Sequence, residues 1–145
     1  MNMILIDGNE KIMGRIAAIA AKKLLEGEKV VIVNAEKVIV SGKREVIINE
    51  FDKKVKTGGL RKGPYFPRTP DRIMRRVVRG MLPYARKSSG KTAYGNLTVY
   101  IGVPKGVDVK NSYVKPTDQW RFPLNYMNLG EVSKLLGYQG EVKQQ

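Results

Sequence analysis

The sequence predicts an α/β domain built on a parallel sheet with helices covering it. Three observations carry that prediction. Residues 3–7, 30–33 and 38–40 are short apolar runs, continuous rather than alternating, as strands buried on both faces are. Segments with apolar residues at helical spacing lie between and after them. The chain has 145 residues, 42% of them hydrophobic, enough for one modest core.

The elements follow in order. Residues 3–7 form a first strand ending in Asp7. Ile12, Ile16, Ile19, Ala20 and Leu24 then recur at helical spacing. Ala17, Ala18 and Ala21 are strong helix formers between them, Lys22 and Lys23 suit the negative end of the macrodipole, and Gly27 is a stop. Residues 30–33 are a second strand, and residues 38–40 a third that Ser41-Gly42 ends. Residues 43–55 read as a helix with Ile47, Ile48, Phe51 and Val55 on one face.

Residues 57–70 hold three Gly and three Pro and read as a long exposed loop. Loops of that length in compact domains are usually functional or disordered. A helix follows, with Thr69 as its cap, Pro70 at its first position and Asp71 in its first turn. It runs to about Leu82, before Pro83. Residues 83–95 are polar and basic, a loop with a short helical piece. Leu97, Val99 and Ile101 alternate with Thr98 and Tyr100 as a strand, and Gly102, Pro104 and Gly106 end it. Residues 107–128 show little periodicity, and residues 129–136 read as a short amphipathic helix stopping at Gly137. We read residues 1–145 as one domain, with an α/β core over 1–106 that includes the basic loop 57–70, and a C-terminal extension over 107–145.

No Cys and no His occur. That removes disulfides, the usual zinc sites, the Ser-His and Cys-His nucleophile pairs and the commonest general base. No acid cluster has the spacing of a carboxylate metal site. No apolar run is long enough to span a membrane, and the N-terminus lacks the basic region of a secretory signal.

The net charge is +14. Such a charge attracts polyanions whatever the fold. Its distribution says more. Residues 1–52 are balanced, with 8 Lys/Arg and 8 Asp/Glu, whereas residues 53–91 carry 13 Lys/Arg and one acid, Asp71. Self-repulsion disfavours such a cluster unless a counter-polyanion is present.

On the helix after residue 69, Arg72, Arg75, Arg76 and Arg79 fall within about a 100° arc, opposite Ile73, Met74, Val77, Val78 and Met81. Arginine makes bidentate, charge-assisted bonds to phosphate, and a row about 10 Å long covers two or more phosphates. A merely solvated face usually mixes signs. Arg61, Lys62 and Arg68 on the loop, and Arg86, Lys87 and Lys91 beyond the helix, extend the basic surface. Tyr65, Phe66 and Tyr84 interleave with it. They can stack on unpaired bases or pack the loop on the core, and both readings stand. Gly58, Gly59 and Gly63 likewise fit a close phosphate approach or plain turns. Gly14 and Arg15 place a further candidate contact at the start of the first helix.

Ala85-Arg86-Lys87-Ser88-Ser89-Gly90-Lys91-Thr92 matches a relaxed phosphate-loop pattern, and the strand ending in Asp7 resembles the magnesium-binding strand of such NTPases. The context differs, because a phosphate loop follows a buried strand and opens a long helix. A DNA-binding module is the other alternative. The helix after residue 69 has almost no Asn, Gln or Ser with which to read bases, which favours backbone contact.

Gly63-Pro64, Arg68-Thr69-Pro70-Asp71-Arg72-Ile73, Arg76 and Val78-Arg79-Gly80-Met81-Leu82-Pro83 closely resemble the thirteenth large-subunit ribosomal protein family. Gly95-Asn96-Leu97-Thr98-Val99-Tyr100-Ile101-Gly102 fits its following strand. Asp7-Gly8, Gly14-Arg15, Val33-Asn34-Ala35-Glu36, Ser41-Gly42-Lys43 and Leu129-Gly130-Glu131 also match. The resemblance spans nearly the whole chain and points to the archaeal and eukaryotic branch. Ser88-Ser89-Gly90-Lys91-Thr92 departs from the basic stretch many relatives have there.

The resemblance implies a three-layer α/β/α fold around a four-stranded, mostly parallel sheet. It implies a structural, non-catalytic protein without cofactor, membrane or small-molecule substrate. Such a protein is a monomer within the cytoplasmic ribosome, bound to large-subunit ribosomal RNA and neighbouring proteins, and supports subunit assembly.

Overall fold

Strand β1 (Met3–Asp7), helix α1 (Met13–Leu25) and strand β2 (Lys29–Val33) form the first unit of a computed structural model that describes residues 3–113 and 123–139. β1 lies parallel to β2, with Ile4 opposite Val30 and Ile6 opposite Ile32. The crossover is α1, whose Ile16, Ala17, Ala20 and Leu24 are buried. Its alanines let the helix approach its neighbours closely.

Beyond β2 the chain turns sharply. Asn34 adopts a left-handed conformation, φ 56°, and a 3-10 turn follows over Ala35–Lys37. Asp7 fastens this corner, accepting hydrogen bonds from Asn9 N (3.0 Å) and Asn34 Nδ2 (2.9 Å). Glu36 reaches across it and accepts the Gly102 N–H at 2.9 Å.

Strand β3 (Ile39–Ser41) leaves the parallel sheet at this corner. It pairs antiparallel with β5 (Tyr126–Asn128), Val40 opposite Met127. The four-stranded sheet is therefore corrected to three parallel strands, ordered β1-β2-β4 with β4 at Leu97–Val99, and a separate antiparallel pair. The physical reason is reach. A parallel neighbour needs a crossover of about a dozen residues or more, and only residues 34–38 separate β2 from β3. β5 falls in the stretch read as irregular; residues 114–122 of that stretch lie outside the described residues.

Helix α2 (Arg44–Lys56) and helix α5 (Leu129–Leu135) pack on the antiparallel pair. The C-terminal segment thus closes the fold around β3. Helix α3 (Pro70–Met81) packs on α1 and β4, and α4 (Ser88–Gly95) on α1 and β4. Together these helices cover the sheet face of Ile6, Val30, Ile32, Leu97 and Val99, all buried. On the opposite face Leu5 and Val31 are half-buried and Thr98 is exposed. Coverage of both faces by helices is not what the described residues show. The free edge of β1 is covered, since the Tyr113 N–H donates to Leu5 O (2.8 Å) and Ser112 Oγ accepts from Asp7 N (3.0 Å).

Helix α3 turns Ile73, Met74 and Val78 inward, each 1% exposed or less. Two residues expected on that face depart from it: Val77 is half-buried beside a cleft, and Met81 is 44% exposed at the helix end. Pro70 opens the helix as expected, but Thr69 makes no side-chain cap, and its buried Oγ1 has no partner. No helix among the described residues is long and apolar enough to cross a membrane.

Val78→Asp should abolish cooperative thermal unfolding followed by circular dichroism, because Val78 is 0% exposed. An unpaired charge there costs an amount on the order of the 5–15 kcal/mol that keeps a domain folded. A native melting curve would show that this face of α3 is not core.

Candidate nucleic-acid interface

Helix α3 is amphipathic by the spacing of its residues, so burying Ile73, Met74 and Val78 forces Arg72, Arg75, Arg76 and Arg79 to the outside. The structure brings these four together. They line one shallow cleft of about 270 Å³ with Tyr65, Pro67 and Tyr94. Among the described residues, none of the four is ion-paired or donates a hydrogen bond. Asp71, the acid of this segment, lies one turn before Arg75, and its Oδ1 has no hydrogen-bond partner.

Aromatic rings hold three of the guanidinium groups. Arg75 lies 4.9 Å over the Tyr94 ring, Arg76 4.9 Å over Phe66, and Arg79 5.5 Å over Tyr84. The rings are themselves packed edge-to-face, Tyr84 on Tyr94 at 5.3 Å and Phe51 on Phe66 at 6.0 Å. A ring face attracts a cation by about 0.5–1 kcal/mol at such partly exposed sites and leaves the N–H fork free at the edge. The side chains are thereby oriented with their donors unspent.

Phe66 is therefore a packed residue that carries Arg76, whereas the Tyr65 ring is exposed beside the cleft. Tyr65 donates its hydroxyl to Leu60 O at 2.8 Å, which ties the loop tip down. The loop closes on itself: the Gly63 N–H donates to Gly59 O at 3.1 Å, and a Cβ on Gly58 (φ 97°) would overlap the Gly63 carbonyl. Gly58 and Gly63 are turn residues. Arg61 and Lys62 stand exposed at the tip, next to Leu60.

Arg68 is not part of the row. It donates to Leu136 O (3.3 Å) and holds the C-terminal end of α5. Arg86 and Lys87 are exposed in the turn between α3 and α4, and Lys91 is exposed on α4. Gly14 and Arg15, both exposed, lie in the first turn of α1 beside Met13, which shares a cleft with Arg76.

Of the phosphate-loop match over residues 85–92, residues 88–92 form the start of α4 and residues 85–87 the turn before it. Gly90 is buried against the chain, where a Cβ would overlap the Pro83 carbonyl. This close approach lets α4 fold back over Pro83-Tyr84 and brings Tyr94 to Arg75. Asp7 is committed to the corner after β2, not to a phosphate site. Sequence reasoning missed Tyr94, whose role depends on that return of α4. The resolved pKa shifts lie away from this face: the 2.9 Å hydrogen bond between Lys23 and Glu26 raises the first and lowers the second.

The family model for Ribosomal protein L13 matches residues 1–106. The Large ribosomal subunit protein uL13 of Methanococcoides burtonii is 47% identical over 137 residues, covering 93% of this chain and 98% of that protein. The uL13 proteins of Methanopyrus kandleri and Picrophilus torridus are 44% and 43% identical, covering 92% and 93% of this chain and 86% and 97% of their own lengths. The chain belongs to the Ribosomal protein L13 family.

Proposed function

We propose that this chain is a structural constituent of the large ribosomal subunit, working in the cytoplasm, that binds large-subunit ribosomal RNA with the outer face of α3. The observation that carries this reading is the row of four unpaired arginines, three of them set on aromatic rings. A phosphate backbone supplies regularly spaced negative charge, and guanidinium matches it bidentately. Arg72, Arg75, Arg76 and Arg79 form the main contact. Arg61 and Lys62 at the loop tip, with Arg86, Lys87 and Lys91 on the other flank, extend it along the RNA. Tyr65 is placed to stack on a base beside the row, and Arg15 reaches RNA from the first turn of α1. Arg68 serves chiefly to tie the loop to α5.

The chain acts as one copy among neighbouring ribosomal proteins, holding RNA segments in register during assembly. No catalytic step is assigned to it.

Replacing Arg72, Arg75, Arg76 and Arg79 with Gln should leave the far-ultraviolet circular dichroism and melting transition in place. At roughly 0.7–0.9 per phosphate contact, it should lower the slope of log affinity for large-subunit rRNA against log salt by about 3. An unchanged slope would remove the row from the contact surface. Tyr94→Leu keeps the charge but loses the ring under Arg75. It should weaken rRNA binding about two- to fivefold at unchanged salt slope, the size of one cation–ring contact. Wild-type affinity in this variant would mean that the ring does not pre-orient Arg75.

A further inference from the structure

We propose that a second cleft, next to the arginine row, takes one unstacked nucleobase of the bound RNA; this rests on the rRNA-binding reading above. The cleft has a volume of about 400 Å³ and lies between α2, the basic loop and α3. That is the size of sites for small, flat ligands. Its walls are apolar and aromatic, with Phe51, Phe66, Ile73 and Val77 among them. Its polar side chains include Lys54 and Arg76, and no acid lines it among the described residues.

The chemistry matches a nucleotide rather than an apolar protein side chain. A base turned out of its stack is a flat, mostly apolar body with a phosphate on either side. The cleft offers an apolar slot with a cation at hand for each phosphate. Lys54 lies 5.1 Å from the Phe51 ring and 5.7 Å from Phe66, and Arg76 lies 4.9 Å from Phe66. Lys54 also stands 3.5 Å from Glu50, but that pair is exposed and worth little, so Lys54 can turn to a phosphate. Arg76 lines both clefts, so a strand following the arginine row passes the mouth of the second one. Sequence-specific RNA recognition works chiefly on such unpaired bases, set against aromatic side chains. The row would then supply affinity, and the cleft would fix the register of one nucleotide.

The test uses the full-length protein bound to in-vitro-transcribed large-subunit rRNA. The complex is irradiated with ultraviolet light to form zero-length crosslinks, and nucleotide adducts are located by mass spectrometry. Gly80 borders the cleft on an exposed turn of α3, where an added Cβ meets nothing within 4 Å. Gly80→Leu therefore adds a bulky side chain at the border of the cleft without a clash, and favours the helix. Val77→Phe is a second filling variant should the first lose its melting transition.

We expect adducts on Phe51 or Phe66 in the natural protein. In the filled variant they should fall about tenfold, the size of one lost base–aromatic contact, with the salt slope unchanged. Binding with a normal salt slope but with adducts only outside the cleft would overturn the base site and leave the rRNA reading standing. Cleft adducts that persist in the filled variant would overturn it equally. Absence of any rRNA binding by the natural protein would bring down both readings.

Discussion

Four guanidinium groups on one short helix repel one another, and the fold depends on that helix being held from behind. Arg72–Arg75, Arg72–Arg76, Arg75–Arg79 and Arg76–Arg79 are like-charge neighbours one turn apart, each costing about 0.2–0.5 kcal/mol. On the other face Ile73, Met74 and Val78 are buried, and each such side chain contributes roughly 1.5–3 kcal/mol. Burial wins by severalfold. α3 can therefore carry a charge row that would unravel an isolated helix. The packing of α1 and β4 against α3 is what the charged face rests on.

The aromatic pairs turn this row into a shaped surface. Tyr84 with Tyr94 on one side and Phe51 with Phe66 on the other set Arg79, Arg75 and Arg76 in place. Each guanidinium gives up some side-chain freedom before any ligand arrives. The entropy lost on meeting a phosphate is smaller by that much, which is the general advantage of pre-organisation. The same rings link site to fold. Phe66 carries the loop onto the core, and Tyr94 arrives only because Gly90 lets α4 fold back over Pro83.

Elements with strong local signals were legible in the sequence. α1, α2 and α3 announce themselves by the spacing of Ile16, Ala20, Leu24, Ile47, Phe51, Ile73, Met74 and Val78, and β1 and β2 by unbroken apolar runs. The arginine row followed from the same 100° arithmetic that gave the core face. What escaped depends on distant partners. β5 is three residues long and exists through its pairing with β3. The placement of β3 outside the parallel sheet was in principle readable, since residues 34–38 cannot make a parallel crossover. Phe66 packs on Phe51, a partner on another element, and also lines the cleft beside α3; neither contact is written in its local sequence. Arg68 looked like one more basic residue, and its bond to Leu136 lies across the chain.

The most direct test is arginine footprinting with phenylglyoxal, comparing the free protein with the purified large subunit and reading each residue by mass spectrometry. Arg72, Arg75, Arg76 and Arg79 should react in the free protein and be protected in the subunit. Equal reactivity of the row in both states would contradict its place at the RNA backbone.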